Sequence, residues 1–102
     1  MEKRKPHYRL EAILAQMVDV PSLKLTESAR TDLLFVLGRS LDDALEVIQS
    51  LTRKNFYKSM TTARNHKVWQ DVYHATWRDT RVYLKFQQHD DAYYFIVSFK
   101  EK

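Results

Sequence analysis

The sequence predicts an α+β domain in which N-terminal helices pack on one face of a mostly antiparallel, twisted sheet. Three observations carry that expectation. Apolar residues recur with a helical period up to about Leu51, the period becomes two beyond Arg53, and the strand-like runs of the second half are separated by short polar turns. The 102 residues fit a single domain, 1–102, with no repeat, linker or low-complexity stretch.

Leu10, Ile13, Leu14 and Met17 form one apolar stripe of a first helix. Pro21 stops it and favours an extended Val20, and the alternating Leu23 and Leu25 suit a short edge strand. A second helix is expected from about Glu27 to Leu37, ended by Gly38 in a left-handed conformation. Ser40-Leu41-Asp42-Asp43 reads as a capping box with Asp in place of the usual Glu, opening a third helix that buries Ala44, Leu45, Val47, Ile48 and Leu51.

Four strands are expected next, at about 56–62, 67–76, 80–88 and 92–100, with Asn65 available for positive φ in the first turn. The short connections imply antiparallel pairing in chain order. In the third strand Val82, Leu84 and Phe86 face one side, and Arg81, Tyr83, Lys85 and Gln87 the other. One face then meets the helices and the other is free for a ligand.

Composition narrows the chemistry. There is no Cys, so disulfides and thiolate metal sites are excluded. No apolar run approaches the ~20 residues of a membrane span and no signal-type apolar core follows the start, so a cytoplasmic protein without membrane contact is expected. Residues 1–51 hold 7 Lys+Arg against 8 Asp+Glu, net −1, whereas residues 52–102 hold 10 against 5, net +5. The excess positive charge belongs to the sheet half, where it would attract a polyanion such as nucleic acid. His7, His74 and His89 lack ligand-like spacing with one another, so neither metal nor cofactor is expected, and His66, a base by its chemistry, falls at an expected hairpin tip where a solvated ring is the default. Lys, Gln and Tyr on strands remain, and these can hold a phosphate and move a proton.

Several blocks then take on a family character. They are Met1-Glu2-Lys3-Arg4-x-Pro6-His7, Phe56-Tyr57-Lys58-Ser59-Met60-Thr61-Thr62, His66 with Trp69-Gln70-Asp71-Val72-Tyr73, Val82-Tyr83-Leu84-Lys85, and Ile96-Val97-Ser98-Phe99-Lys100-Glu101-Lys102. In that order they resemble the motility quorum-sensing regulator (MqsR) toxins, while residues 8–52 match mainly in helical pattern. The resemblance implies a RelE/YoeB-like fold and the toxin half of a type II toxin–antitoxin pair. It implies sequence-selective endoribonuclease cleavage of mRNA, favouring GC-containing triplets such as GCU and GCA. It also implies an MqsA-type antitoxin with a zinc-binding N-terminal domain and a helix-turn-helix domain, through which operator DNA is reached only indirectly. The family's active-site residues carry over onto Lys58, Gln70, Tyr83 and Lys100.

The residue types suit those roles. Fixed positive charge from Lys58 and Lys100 acts on negative charge developing at phosphorus. A phenol such as that of Tyr83 keeps its proton at neutral pH and can protonate a leaving oxygen. Gln70 does not titrate and is suited to orienting a hydroxyl or a base edge. His66, Arg81 and Lys85 are candidate RNA contacts, and Tyr57, Trp69, Tyr73 and Tyr94 are candidate stacking surfaces for unpaired bases. The competing expectation is a non-catalytic RNA-binding or regulatory protein acting through an antitoxin complex.

Overall fold

Local sequence signals account for each helix boundary. In α1 (Leu10–Gln16) the stripe buries Ile13, and Met17 is buried just past its end. Asp19 caps a 3-10 turn at Val20–Ser22, with Pro21 inside it where no backbone donor is needed. Thr26 caps α2 (Glu27–Thr31), its hydroxyl accepting from the Ala29 N–H at 3.1 Å. The expected second helix does not run to Leu37 as one α-helix; Asp32–Val36 is a π turn, closed by the Leu37 N–H on the Asp32 carbonyl. The wider turn leaves Phe35 and Val36 exposed while Leu33 is buried. Gly38 follows at φ +67°, the left-handed stop its position predicts. The capping box opening α3 (Leu41–Ser50) is formed in both directions, Ser40 and Asp43 exchanging two bonds of 3.1 Å.

A computed structural model describes all residues, 1–102. Five antiparallel strands lie in chain order: β1 (Glu2–Lys3), β2 (Phe56–Thr61), β3 (Trp69–Trp77), β4 (Thr80–His89) and β5 (Tyr93–Glu101). The α+β expectation therefore holds, with one strand more than the periodicity foretold. β1 covers the outer edge of β2, and the Met1 ammonium donates to the Thr61 hydroxyl at 3.1 Å. The other edge is partly covered too. Leu25 forms a parallel bridge to Ile96, with Thr26 N–H on the Ile96 carbonyl and Ile96 N–H on the Lys24 carbonyl. Both edges are thus blunted against pairing with another chain. The β2–β3 turn departs from expectation, since Asn65 does not have positive φ. Its side chain instead accepts from the Lys67 N–H at 2.9 Å, an Asx turn. Positive φ falls at Arg78 in the β3–β4 turn and at Asp90 and Asp91 in the β4–β5 turn.

The helices cover one face of the sheet only. Ile13, Leu33, Ala44 and Ile48 from the helices meet Tyr73, Leu84, Phe86, Ile96 and Phe99 from the strands in one core. Each large apolar side chain buried there contributes about 1.5–3 kcal/mol. Tyr73, expected as a base-stacking surface, is fully buried between Phe56 and Phe86 and has no face for RNA. Tyr94 is likewise buried, edge-on to Tyr8. Both are core residues because odd-numbered positions of β3 and the first, even-numbered half of β5 point at the helices.

Candidate active site on the open face of the sheet

Two bulges decide which side chains reach the open face. In β2 the register steps from Phe56↔Tyr73 to Lys58↔Val72, so Tyr57 is an extra residue. Phe56 and the buried Ser59 point to the core, while Tyr57 and Lys58, though consecutive, both line the open face. In β5 the pairs Phe86↔Ile96 and Lys85↔Ser98 leave Val97 extra. Strict alternation in the sequence would have set Lys100 on the same face as Ile96. The bulge resets the phase, so Ile96 and Phe99 are both buried while Lys100 is exposed.

The result is a shallow depression of about 250 Å³ lined by Tyr57, Lys58, Met60, Val72, His74, Tyr83 and Lys85. Three strands contribute, and the pairs Lys58↔Val72↔Lys85 and His74↔Tyr83↔Lys100 form two rows across it. The Lys85 ammonium lies 6.0 Å from the Tyr83 ring and Lys58 lies 5.5 Å from that of Tyr57. Beside the depression a smaller hollow of about 100 Å³ is lined by Asn55, His74, Ala75, Thr76, Arg81 and Lys102. His74 belongs to both.

Of the residues singled out from the sequence, Lys58, Tyr83, Lys85 and Tyr57 are brought together. Gln70 is one row away, opposite Met60, and its amide donates to Gln87 Oε1 at 2.9 Å. Its own carbonyl oxygen is left to accept. Lys100 sits across β5 from Tyr83, 3.9 Å from Asp32. Three strand spacings separate its backbone from that of Lys58, roughly 14 Å of sheet. Arg81 lines the small hollow, and His66 lies exposed in the β2–β3 turn outside both depressions. Trp69 is covered by the stacked His7 ring at 5.3 Å and the Lys3 ammonium at 4.2 Å.

Three features escaped the sequence reading. Glu2 reaches over from β1, where the Lys58 ammonium donates to it at 2.9 Å. That hydrogen bond and the adjacent charge hold the Glu2 carboxyl below its usual range. Asp71 is buried under the site and accepts from Ser59 and from the His7 and Tyr8 N–H groups at 2.6–3.1 Å. Finally, His74 stacks on Tyr57 with ring centroids 4.4 Å apart at 21°. Burial first, then the charges of Lys102 and Arg81, push its pKa below the ordinary 6.5. The alternation of β3 signalled His74 once Asp71 and Tyr73 were known to face inward. No group of three or more His, Cys, Asp or Glu side chains is arranged to hold a metal ion.

The family model described as "Motility quorum-sensing regulator, toxin of MqsA" matches residues 5–101. The chain belongs to the MqsR toxin family. A curated member from Escherichia coli (strain K12), named mRNA interferase toxin MqsR, is 42% identical over 102 residues, covering 100% of both chains. The match spans the helical half as well as the strand blocks, so the MqsR relationship includes the scaffold that supports the open face. No helix is long and apolar enough to cross a membrane.

Proposed function

We propose that this MqsR-family toxin is an mRNA endoribonuclease whose substrate crosses the open face of the sheet, with the scissile phosphate in the depression between Lys58, Tyr83 and Lys85. The observation that carries the reading is the convergence of those three side chains, from β2 and β4, on one shallow, open hollow.

The reaction is transesterification by the ribose 2′-OH, a nucleophile already beside the phosphorus at high effective concentration. Lys58 and Lys85 stabilise charge on the non-bridging oxygens of the transition state. Tyr83 protonates the departing 5′-oxygen. Gln70 accepts from the 2′-OH or a base edge through its free carbonyl oxygen, and Lys100, beyond Tyr83, holds a flanking phosphate. Arg81 and exposed His66 contact the strand further along, and Tyr57 offers a stacking surface. The step needs neither metal nor cofactor. Selectivity for GC-containing triplets such as GCU and GCA belongs to this proposal, as does silencing by an MqsA-type antitoxin that binds zinc in one domain and operator DNA through another.

Purified protein incubated with a defined mRNA, followed by mapping of fragment ends, tests the reading. New 5′ ends at GC-containing triplets, lost in Lys58→Ala, are expected. Intact RNA released from a saturated complex would instead identify a non-catalytic RNA-binding module.

A further inference from the structure

We propose that His74 is the general base of the cleavage, taking the proton from the ribose 2′-OH while Tyr83, its partner across the β3–β4 pair, supplies the proton to the leaving 5′-oxygen. This rests on the reaction proposed above and names the group that reaction leaves unassigned.

The placement supports the role. His74 and Tyr83 are register partners, and side chains so paired stand about 4.5–5.5 Å apart at Cβ. A phosphodiester lying between them would present its 2′-oxygen to one and its 5′-oxygen to the other, as in-line displacement requires. His74 separates the main depression from the smaller hollow and lines both, so a strand passing from one to the other must cross its edge. The ring is fixed without using its nitrogens. Tyr57 stacks on its face, and the Asn55 amide donates to its backbone carbonyl at 3.0 Å, leaving the imidazole itself with no hydrogen-bond partner in the protein.

Its electrostatic surroundings favour the neutral imidazole, the form that can accept a proton. Tyr57 and Lys58 face it from β2, Tyr83 and Arg81 from β4, and Lys102 from the end of the chain. The carboxylate that reaches this face, Glu2, is taken by Lys58. With only neutral and cationic neighbours the protonated form is disfavoured, in the direction burial already sets. A free neutral imidazole is the side chain best matched to proton removal near pH 7.

The proton balance closes. The 2′-O–H proton moves to an imidazole nitrogen as the 2′-oxygen bonds to phosphorus. The P–O5′ bond breaks and its electron pair takes the Tyr83 proton. The products are a 2′,3′-cyclic phosphate and a 5′-hydroxyl, and the imidazolium and phenolate are reset through solvent.

The test is the pH profile of kcat/KM for the full chain, wild type against His74→Ala and His74→Gln, with an RNA carrying one cleavable site. Wild type should show an acid limb of unit slope with its midpoint below 6.5, because the base must be deprotonated and its pKa is lowered. Both variants should lose about 10²–10⁴ in rate and lose that limb, and added imidazole should restore part of the rate in His74→Ala. Binding of a 2′-deoxy analogue should change less than about threefold, which separates lost chemistry from lost fold. Rates within threefold of wild type, or an acid limb that survives in both variants, would overturn the assignment while leaving the cyclic-phosphate reaction intact. A 5′-phosphate product from the wild type would overturn the reaction itself, and His74 as its base along with it.

Discussion

The Ser59 hydroxyl donates to the Asp71 carboxylate at 2.6 Å beneath the open face, and the two residues are direct register partners of β2 and β3. Their chain neighbours Lys58 and Gln70 point the other way. The buried pair therefore fixes which residues of these strands face RNA, since a one-residue slip would exchange the two sets. The same carboxylate ties down His7 and Tyr8, and so holds the segment that carries Glu2 to Lys58.

Replacing Asp71 with Ala should destabilise the protein by about 3–5 kcal/mol, because the buried Ser59 hydroxyl and the part-buried N–H groups of His7 and Tyr8 lose their acceptor together. Ser59→Ala should cost less, about 1–2 kcal/mol. Urea denaturation monitored by tryptophan fluorescence measures both. An Asp71→Ala midpoint indistinguishable from wild type would show that the clamp is not structural.

Lys58→Ala and Tyr83→Phe should each slow cleavage by about 10²–10³, with unchanged far-ultraviolet circular dichroism, since both lie on the open face rather than in the core. Single-turnover rates provide the comparison. A loss confined to KM would assign these groups to binding alone.

Glu2→Gln should tighten RNA binding by about two- to fivefold at low salt, because a phosphate no longer competes with a carboxylate for the Lys58 ammonium. Fluorescence anisotropy with a non-cleavable oligonucleotide is the assay. Weaker binding would mean that Glu2 positions Lys58 rather than masking it.

How much of this was legible in the sequence follows from where periodicity survives. Gly38, the Ser40 cap and the two hairpins β3–β4 and β4–β5 announced themselves through local chemistry, and they are formed. The five blocks that suggested the MqsR family also contained the residues of the open face. Alternation failed at Tyr57 and Val97, because a bulge is an extra residue whose position depends on pairing with the next strand. β1 was hidden for a related reason. Two residues carry no period, and Glu2–Lys3 is a strand only because β2 offers it an edge. The inward turn of Tyr73 is not legible, because Trp69, Asp71 and Tyr73 on one face of β3 and Val68, Gln70 and Val72 on the other leave its orientation open to alternation alone. The setting of His74 is not legible either, since its stacking on Tyr57 and its neighbouring cations exist only after the sheet forms.

RNA affinity should fall with added salt, the basic half of the chain displacing counterions from several phosphates. With about −0.7 per neutralised phosphate for a single strand, log K against log salt should have a slope of about −2 or steeper. A flat dependence would remove the electrostatic contribution assigned to Lys58, Lys85, Arg81 and Lys100.

Cleavage of an RNA bearing a single 2′-deoxynucleotide on the 5′ side of the cut, with EDTA present, tests the central claim most directly. The all-ribose strand should be cut in EDTA to leave a 2′,3′-cyclic phosphate and a 5′-hydroxyl, while the substituted strand is bound but stays intact at that position. Cutting at the deoxy position, or loss of all activity on adding EDTA, would contradict a metal-free reaction driven by the 2′-OH on the open face of this sheet.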